Sequence, residues 1–190
     1  EDLLTKYAEN PWLKGVRHVV QDEPDDRFIL GEAFNEGIRK LRQFDLVYDV
    51  LIYERQLAPS IEFVDLHPDQ VFVLDHVAKP RIGDGMMEPW KAQMFEMARR
   101  ENVSCKLSGM ATEANWEEWT MDDLRPFMEV ALDAFGPRRL MFGSDWPVAR
   151  LAVEYGPWVD LCRKFFSSLS ENEIEAIEGG NASRVYGLVD

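Results

Sequence analysis

Two short apolar runs in this chain each end in a residue that can carry acid–base or metal chemistry. The run 72–74 leads to His76, and the run 140–142 leads to Asp145. Such runs are typical of strands that are buried on both faces in a parallel sheet covered by helices. Because α/β barrels place their chemistry just beyond the carboxyl ends of their strands, the pattern predicts an enzyme site containing both residues.

The two side chains suit different tasks. A carboxylate such as Asp145 can deprotonate a water molecule or bind a metal, although with Ser144 it can also simply cap the following segment. A neutral imidazole at His76 can donate a hydrogen bond to a substrate carbonyl or ligate a divalent metal. The alternative for His76 is a structural role with its hydrogen bonds satisfied inside the protein.

Three further polar residues lie within predicted strands. Arg17 has the planar fork that recognises carboxylates, and an ion pair is the alternative. His18 follows it and points to the opposite face of a regular strand, and the sequence pattern does not decide which of the two faces the site. Lys106 interrupts a buried strand, which is costly unless it is paired or faces a polar site.

His67, beside a proline at a helix end, is expected to be a cap or a surface residue.

Strand-like and helix-like segments alternate five times along the chain. Strands are predicted at 15–21, 46–53, 71–75, 103–107 and 140–142. Helices are predicted at 26–44, 55–66, 88–102, 121–135, 158–168 and 181–188. This alternation indicates an α/β fold with a parallel sheet built from right-handed crossovers.

Composition restricts the possible partners and compartment. The 190-residue chain has a net charge of −14, which disfavours binding to nucleic acid and to anionic membranes. No apolar stretch approaches the roughly 20 residues of a membrane span. Cys105 and Cys162 are expected to be buried free thiols, which fits a reducing cytoplasm. At this length we expect one domain over residues 1–190.

In order along the chain, several short motifs resemble the amidohydrolase-related (amidohydrolase 2) family, and within it the sugar-acid lactonases that act on fuconolactone or rhamnonolactone. The matching stretches are Lys14-Gly15-Val16-Arg17-His18 with Gln21 and Glu23-Pro24, Leu74-Asp75-His76 with Lys79-Pro80, Cys105-Lys106-Leu107-Ser108-Gly109, Gly143-Ser144-Asp145-Trp146-Pro147, and Asn181-Ala182 with Arg184 and Tyr186. The resemblance covers almost the whole chain, and its specificity comes from the combination of motifs.

The resemblance implies a TIM-type (β/α)₈ barrel in which the five predicted strands are numbers four to eight. An eight-unit barrel needs about 250 residues, so the first three βα units are expected to be missing. His76 and Asp145 match the family's late histidine and its aspartate after strand eight. The family's His-x-His pair on the first strand has no counterpart in residues 1–190.

The family likeness also implies a reaction. Asp145 would take a proton from the attacking water, and His76 would polarise the lactone carbonyl directly or through a metal. Arg17, His18, Lys106 and Trp146 are the implied substrate-binding residues. His76 and Asp145 are also the implied metal ligands, with zinc as an option rather than a requirement. The expected partner is a small-molecule lactone or sugar acid, and a homo-oligomer is left open.

Two alternatives remain at this point. The same superfamily includes metal-dependent decarboxylases that also place an aspartate after strand eight. A non-enzymatic alternative is that the chain is an inactive truncated fragment, whose outer strands would present unpaired edges and favour self-association.

Overall fold

The computed structural model of the chain describes residues 2–188, and side chains from residue 3 onward. Five β-strands, β1 to β5, span Gly15–Val19, Val47–Leu51, Phe72–Leu74, Val103–Leu107 and Leu140–Phe142. All four neighbouring pairs are parallel, and the order of the strands in the sheet follows their order in the chain. The predicted α/β class with a parallel sheet is therefore confirmed.

Helices connect the strands. The α-helices α1 to α8 span Asp2–Ala8, Glu32–Leu41, Leu57–Asp65, Trp90–Ala98, Met121–Phe135, Tyr155–Phe166, Glu171–Glu175 and Asn181–Val185. Each of the helices α2 to α6 follows one of the strands β1 to β5, as parallel pairing requires. Within residues 2–188, no helix is both long enough and apolar enough to cross a membrane.

The two faces of the sheet are covered differently because side chains alternate along a strand. In β2, Tyr48 and Val50 pack into the main core, whereas Asp49 between them points to the other face. The main core lies between the sheet and the helices, and its largest fully buried side chains include Trp90 and Trp158. Burying side chains of this kind stabilises the fold by roughly 1.5–3 kcal/mol each.

The second face has a much smaller apolar cluster, formed by the sheet and the end of the chain. Its members are Val47, Val73 and Met141, with Ala182, Val185 and Tyr186 packed against them. Val47 is the first residue of β2, so α8 and Tyr186 cover the amino ends of the strands. The carboxyl ends on this face are left to polar side chains.

Several predicted boundaries were wrong for local reasons. β1 ends at Val19 rather than at residue 21, because Val20–Asp22 turns into a 3₁₀ helix. The helix predicted at 26–44 is divided into 3₁₀ turns and the shorter helix α2, Glu32–Leu41. The helix at 121–135 is confirmed: Thr120 caps its start together with Asp123.

His67 was also predicted incorrectly. Rather than lying at the surface, it is only 6% exposed, and its Nε2 lies 2.7 Å from Asn35 Oδ1 in a hydrogen bond between α2 and the end of α3. Burial, followed by the charge of Arg39, lowers the pKa of this imidazole. A neutral histidine therefore joins two helices of the core layer.

Candidate active site

An unusual turn after β3 positions His76. Four successive non-glycine residues, 76–79, have positive φ angles between 47° and 57°. The left-handed region costs an L-residue roughly 1–2 kcal/mol, so this turn is stable only because its surroundings hold it. Val77 and Ala78 are fully buried, and the Trp90 indole donates a 2.8 Å hydrogen bond to the Val77 carbonyl. The turn directs His76 across the end of β4.

Small residues on the neighbouring strands make room for the imidazole. Gly109 follows β4 with a φ of 61°, and a Cβ there would lie 2.8 Å from Cγ of His76. Gly143 follows β5, and a Cβ there would lie 2.9 Å from Cβ of Ser108. With this space, Ser108 Oγ lies 2.8 Å from His76 Nδ1 in a buried hydrogen bond. Both glycines are thus required by close approach at the site.

Asp145 reaches the same place from β5. Its backbone also has a positive φ, 53°, and its Oδ1 lies 3.5 Å from Nε2 of His76. The two side chains are 12% and 11% exposed, respectively. The structure therefore brings together the two residues that the sequence singled out, with one ring nitrogen held by Ser108 and the other facing the carboxylate.

Burial sets the protonation state of the imidazole. It lowers the pKa of His76 below the ordinary histidine value, and the charges of Asp75 and Asp145 oppose this without cancelling it. His76 is therefore neutral at neutral pH. A neutral imidazole can donate one hydrogen bond and accept another, which suits a group that polarises a carbonyl.

Lys106 and Arg17 lie on the same face but are engaged in ion pairs. Lys106 Nζ lies 2.7 Å from Asp49 Oδ2 and 2.8 Å from Asp75 Oδ1. Arg17 donates a 2.9 Å hydrogen bond to the other oxygen of Asp75, whose side chain is fully buried. The Tyr186 hydroxyl donates a 2.7 Å hydrogen bond to Asp49. Of the two cations, Arg17 is the more accessible, since half of its side chain is exposed.

The two remaining predicted binding residues do not join this cluster. His18 lies on the helix-covered face, where its ring stacks on Phe28 and its Nε2 lies 2.7 Å from Glu23 Oε1. Trp146 follows Asp145 directly and is 62% exposed, beside the site but without a contact that fixes its ring among the described residues.

Sequence reasoning assigned no role to Asp49, Asp75 or Ser108, although their positions carried a signal. Ser108 is two residues beyond Lys106, so strand alternation places both on one face. Asp49 in β2 is the register partner of Arg17 in β1, so these two polar residues lie side by side on neighbouring strands. A buried lysine also requires a carboxylate partner, and these two aspartates on neighbouring strands supply it.

A metal needs more ligands than this cluster supplies. Catalytic zinc is held by three protein ligands and keeps a further position for water or substrate. His76 and Asp145 are two suitable donors, but no group of three or more histidine, cysteine, aspartate or glutamate side chains suited to a metal occurs within residues 2–188. The described residues therefore do not form a zinc site by themselves.

Comparison with known proteins places this geometry in context. The chain is 43% identical over 187 residues to an L-fucono-1,5-lactonase of Burkholderia multivorans. The aligned region covers 93% of this chain and 63% of the relative. An L-fucono-1,5-lactonase of Burkholderia ambifaria is 36% identical over 191 residues, covering 97% of this chain and 65% of the relative. The chain thus spans a little under two thirds of the length of these relatives.

A solved structure supports the same relationship. An amidohydrolase of Burkholderia multivorans crystallised with bound zinc superposes with a TM-score of 0.93 at 41% identity, covering 99% of this chain and 70% of that one. The expected barrel fold class and the resemblance to the lactonase relatives are confirmed. The sequence model of the amidohydrolase family matches residues 2–188, and the chain belongs to that family.

Proposed function

We propose that this chain carries the catalytic residues of a hydrolase that opens a sugar-acid lactone. The observation that supports this most directly is the approach of His76 Nε2 to Asp145 Oδ1, 3.5 Å apart at the carboxyl ends of β3 and β5. The two curated lactonases, at 43% and 36% identity, favour the same reaction class.

The reaction proposed for these residues is a hydrolysis through a tetrahedral intermediate. Asp145 takes a proton from water as the water oxygen bonds to the lactone carbonyl carbon. His76, with its proton on Nε2 and Nδ1 accepting the Ser108 hydroxyl proton, donates a hydrogen bond to the developing oxyanion. When the ring C–O bond breaks, the proton held by Asp145 passes to the departing ring oxygen. The product is the open-chain hydroxy acid.

The site's remaining residues have supporting roles in this proposal. Arg17, with half of its side chain exposed, can contact a substrate while Asp75 holds it. Lys106 organises Asp49 and Asp75, and Trp146 lines the rim. His18 fits a substrate role less well, because it lies on the opposite face of β1. A divalent metal such as zinc would require ligands beyond His76 and Asp145, and the steps above proceed without one.

The wider setting is also a proposal. We propose that residues 1–190 form one partial barrel domain, completed by three βα units from outside it; the coverage of 63% and 65% of the lactonase relatives supports this. The expected setting is the cytoplasm, supported by two buried free thiols. The substrate is a small molecule rather than nucleic acid or membrane.

The direct test uses the product of the complete gene and a panel of sugar lactones that includes L-fucono-1,5-lactone, with acid release as the readout. Asp145→Asn is expected to lower kcat by about 10²- to 10⁴-fold, the usual contribution of a general base. Trp12→Phe is a suitable control, because Trp12 is 80% exposed and lies before β1. Unchanged turnover in Asp145→Asn would remove Asp145 from the proposed role.

A further inference from the structure

Lys79 ends the left-handed turn that begins at His76, and its ammonium lacks good partners. Its side chain is only 15% exposed, and Nζ lies 3.8 Å from Glu113 Oε1, at the outer limit of an ion pair. Among residues 2–188, Nζ has no hydrogen-bond acceptor, and its other neighbour is the Tyr53 ring, whose centroid is 5.1 Å away. The side chain is largely covered, but Nζ itself reaches solvent, so its donors are free to bond water or a ligand.

Lys106 in β4 gives a comparison, because its ammonium is fully engaged in ion pairs. Its Nζ lies 2.7 and 2.8 Å from two carboxylates, whereas the three N–H donors of Lys79 have no comparable acceptors. Because Nζ reaches solvent, water can satisfy these donors in the free protein. A substrate oxygen beside the turn can replace that water and accept a hydrogen bond from a charged group.

Glu113 completes the pair from the segment that follows β4. Its side chain is 19% exposed, and burial raises the pKa of its carboxyl group, with the charge of Lys79 opposing and that of Asp145 adding to the shift. Lys79 closes the turn that carries His76, and Glu113 Oε1 lies 3.8 Å from Lys79 Nζ, so the pair lies beside the residues proposed for catalysis.

The balance of charge around this space indicates what kind of ligand it accepts. The cations are Arg17, Lys79, Lys106 and Arg55, which lies over the Tyr53 ring, and the carboxylates are Asp49, Asp75, Glu113, Asp145 and Glu54. The carboxylates exceed the cations by one, so a substrate that carries its own carboxylate meets no surplus of positive charge. A pair made of one donor cation and one acceptor anion instead suits uncharged hydroxyl groups, which can both accept and donate.

We propose that Lys79 and Glu113 bind neighbouring hydroxyl groups of an uncharged lactone and so determine the specificity of the site. Lys79 Nζ donates a hydrogen bond to one hydroxyl oxygen, and the Glu113 carboxylate accepts a hydrogen bond from the neighbouring hydroxyl group. This proposal deepens the proposed function and rests on it for the identity of the reacting group. The binding of hydroxyl groups, however, can be measured without any turnover.

The experiment is a binding titration on the complete gene product, with L-fucose as a stable uncharged ring and L-fuconate as the corresponding anion. The wild type is expected to bind L-fucose more tightly than L-fuconate. Lys79→Met, which keeps the length of the chain but removes the charge, is expected to weaken L-fucose binding by about tenfold or more, as for the loss of a hydrogen bond to a charged group.

The matched control is Arg81→Met, which removes the same charge two residues later. Arg81 is half exposed and pairs with Asp84 rather than with the site, so L-fucose binding should not change. Circular dichroism melting checks that each variant is folded. If Lys79→Met does not fold, Glu113→Gln is the second variant, and it should weaken L-fucose binding while strengthening L-fuconate binding.

The outcomes separate the two proposals. Equal L-fucose affinity in the wild type and in a folded Lys79→Met, or a wild type that prefers L-fuconate or binds neither, would overturn the role of this pair. Loss of L-fucose binding in Lys79→Met supports it. If binding follows this pattern but no lactone is hydrolysed, the proposed function fails while the hydroxyl-binding pair stands.

Discussion

Removing the lysine that links two buried carboxylates should strongly destabilise this fold. Lys106 Nζ lies 2.7 Å from Asp49 and 2.8 Å from Asp75, and the Asp75 side chain is fully buried. Burial lowers the pKa of Lys106, but the charges of Asp75 and Asp49 raise it by more, so the lysine remains protonated. The variant Lys106→Met keeps most of the side-chain volume and leaves two carboxylates facing each other without the cation between them.

The size of the effect follows from what remains. Breaking a buried ion pair by removing one partner costs about 3–5 kcal/mol, because the other charge stays buried. Asp75 keeps its 2.9 Å hydrogen bond from Arg17, which is half exposed, so we expect a value near the lower limit, about 3 kcal/mol. For a chain of this size, that corresponds to a fall in Tm of about 6–12 °C.

The assay is urea denaturation at several pH values, compared with the wild type. Burial already raises the pKa of Asp49, and the charge of Asp75 adds to this, while Lys106 opposes both. Without Lys106 the folded-state pKa of Asp49 rises further above its unfolded value. The folded variant then binds more protons than the unfolded chain. The loss in its free energy of unfolding relative to the wild type is therefore largest at neutral pH and becomes smaller as the pH falls.

A surface pair gives the control. Arg42→Met breaks the ion pair with Asp69, in which both side chains are about two-thirds exposed, and it should cost less than about 1 kcal/mol. The double variant Asp49→Asn/Lys106→Met should recover part of the lost stability, because one uncompensated carboxylate is gone. If Lys106→Met costs no more than Arg42→Met, or its deficit does not change with pH, the buried carboxylates do not depend on this lysine.

Two further predictions concern the imidazoles. Gly109→Ala should destabilise the fold and lower lactone turnover, because the new methyl group would lie 2.8 Å from the His76 ring. Gly85→Ala is the control, since Gly85 has a similar φ but open space around it. It should show only the backbone cost of roughly 1–2 kcal/mol and normal turnover. Equal effects in urea denaturation and turnover would refute the steric explanation. Because the pKa of His67 is lowered in the folded protein, the unfolded chain binds a proton at a higher pH than the folded chain does. The free energy of unfolding should therefore fall as the pH drops below about 6.5. His67→Gln should flatten that part of the stability curve obtained from urea denaturation. A decline of the same slope in His67→Gln would show that another group causes it.

Much of the architecture could be predicted from sequence because buried parallel strands must be apolar on both faces. The runs that became β3 and β5 are short and almost uninterrupted, and the helix Met121–Phe135 was predicted with its correct ends. Its capping residue Thr120 and the glycine after it, Gly136 with a φ of 65°, are local signals that the sequence carries directly.

Elements without such local signals were predicted less well. The strand predicted to reach residue 21 ends at Val19, and the helix predicted at 26–44 is interrupted near Gly31. In both places the hydrophobic pattern continues across a change of backbone conformation. Periodicity reports which residues become buried, and it does not report where the backbone turns.

The candidate site divides in the same way. The sequence by itself placed His76 and Asp145 at strand ends, and because strands of a parallel sheet end at one edge, that was enough to expect them near each other. Only the tertiary structure decided that His18 faces the helices, that Lys106 is held by Asp49 and Asp75, and that Lys79 approaches Glu113 at 3.8 Å. These outcomes depend on register and on the left-handed turn after β3, which are set by contacts between segments far apart in the chain.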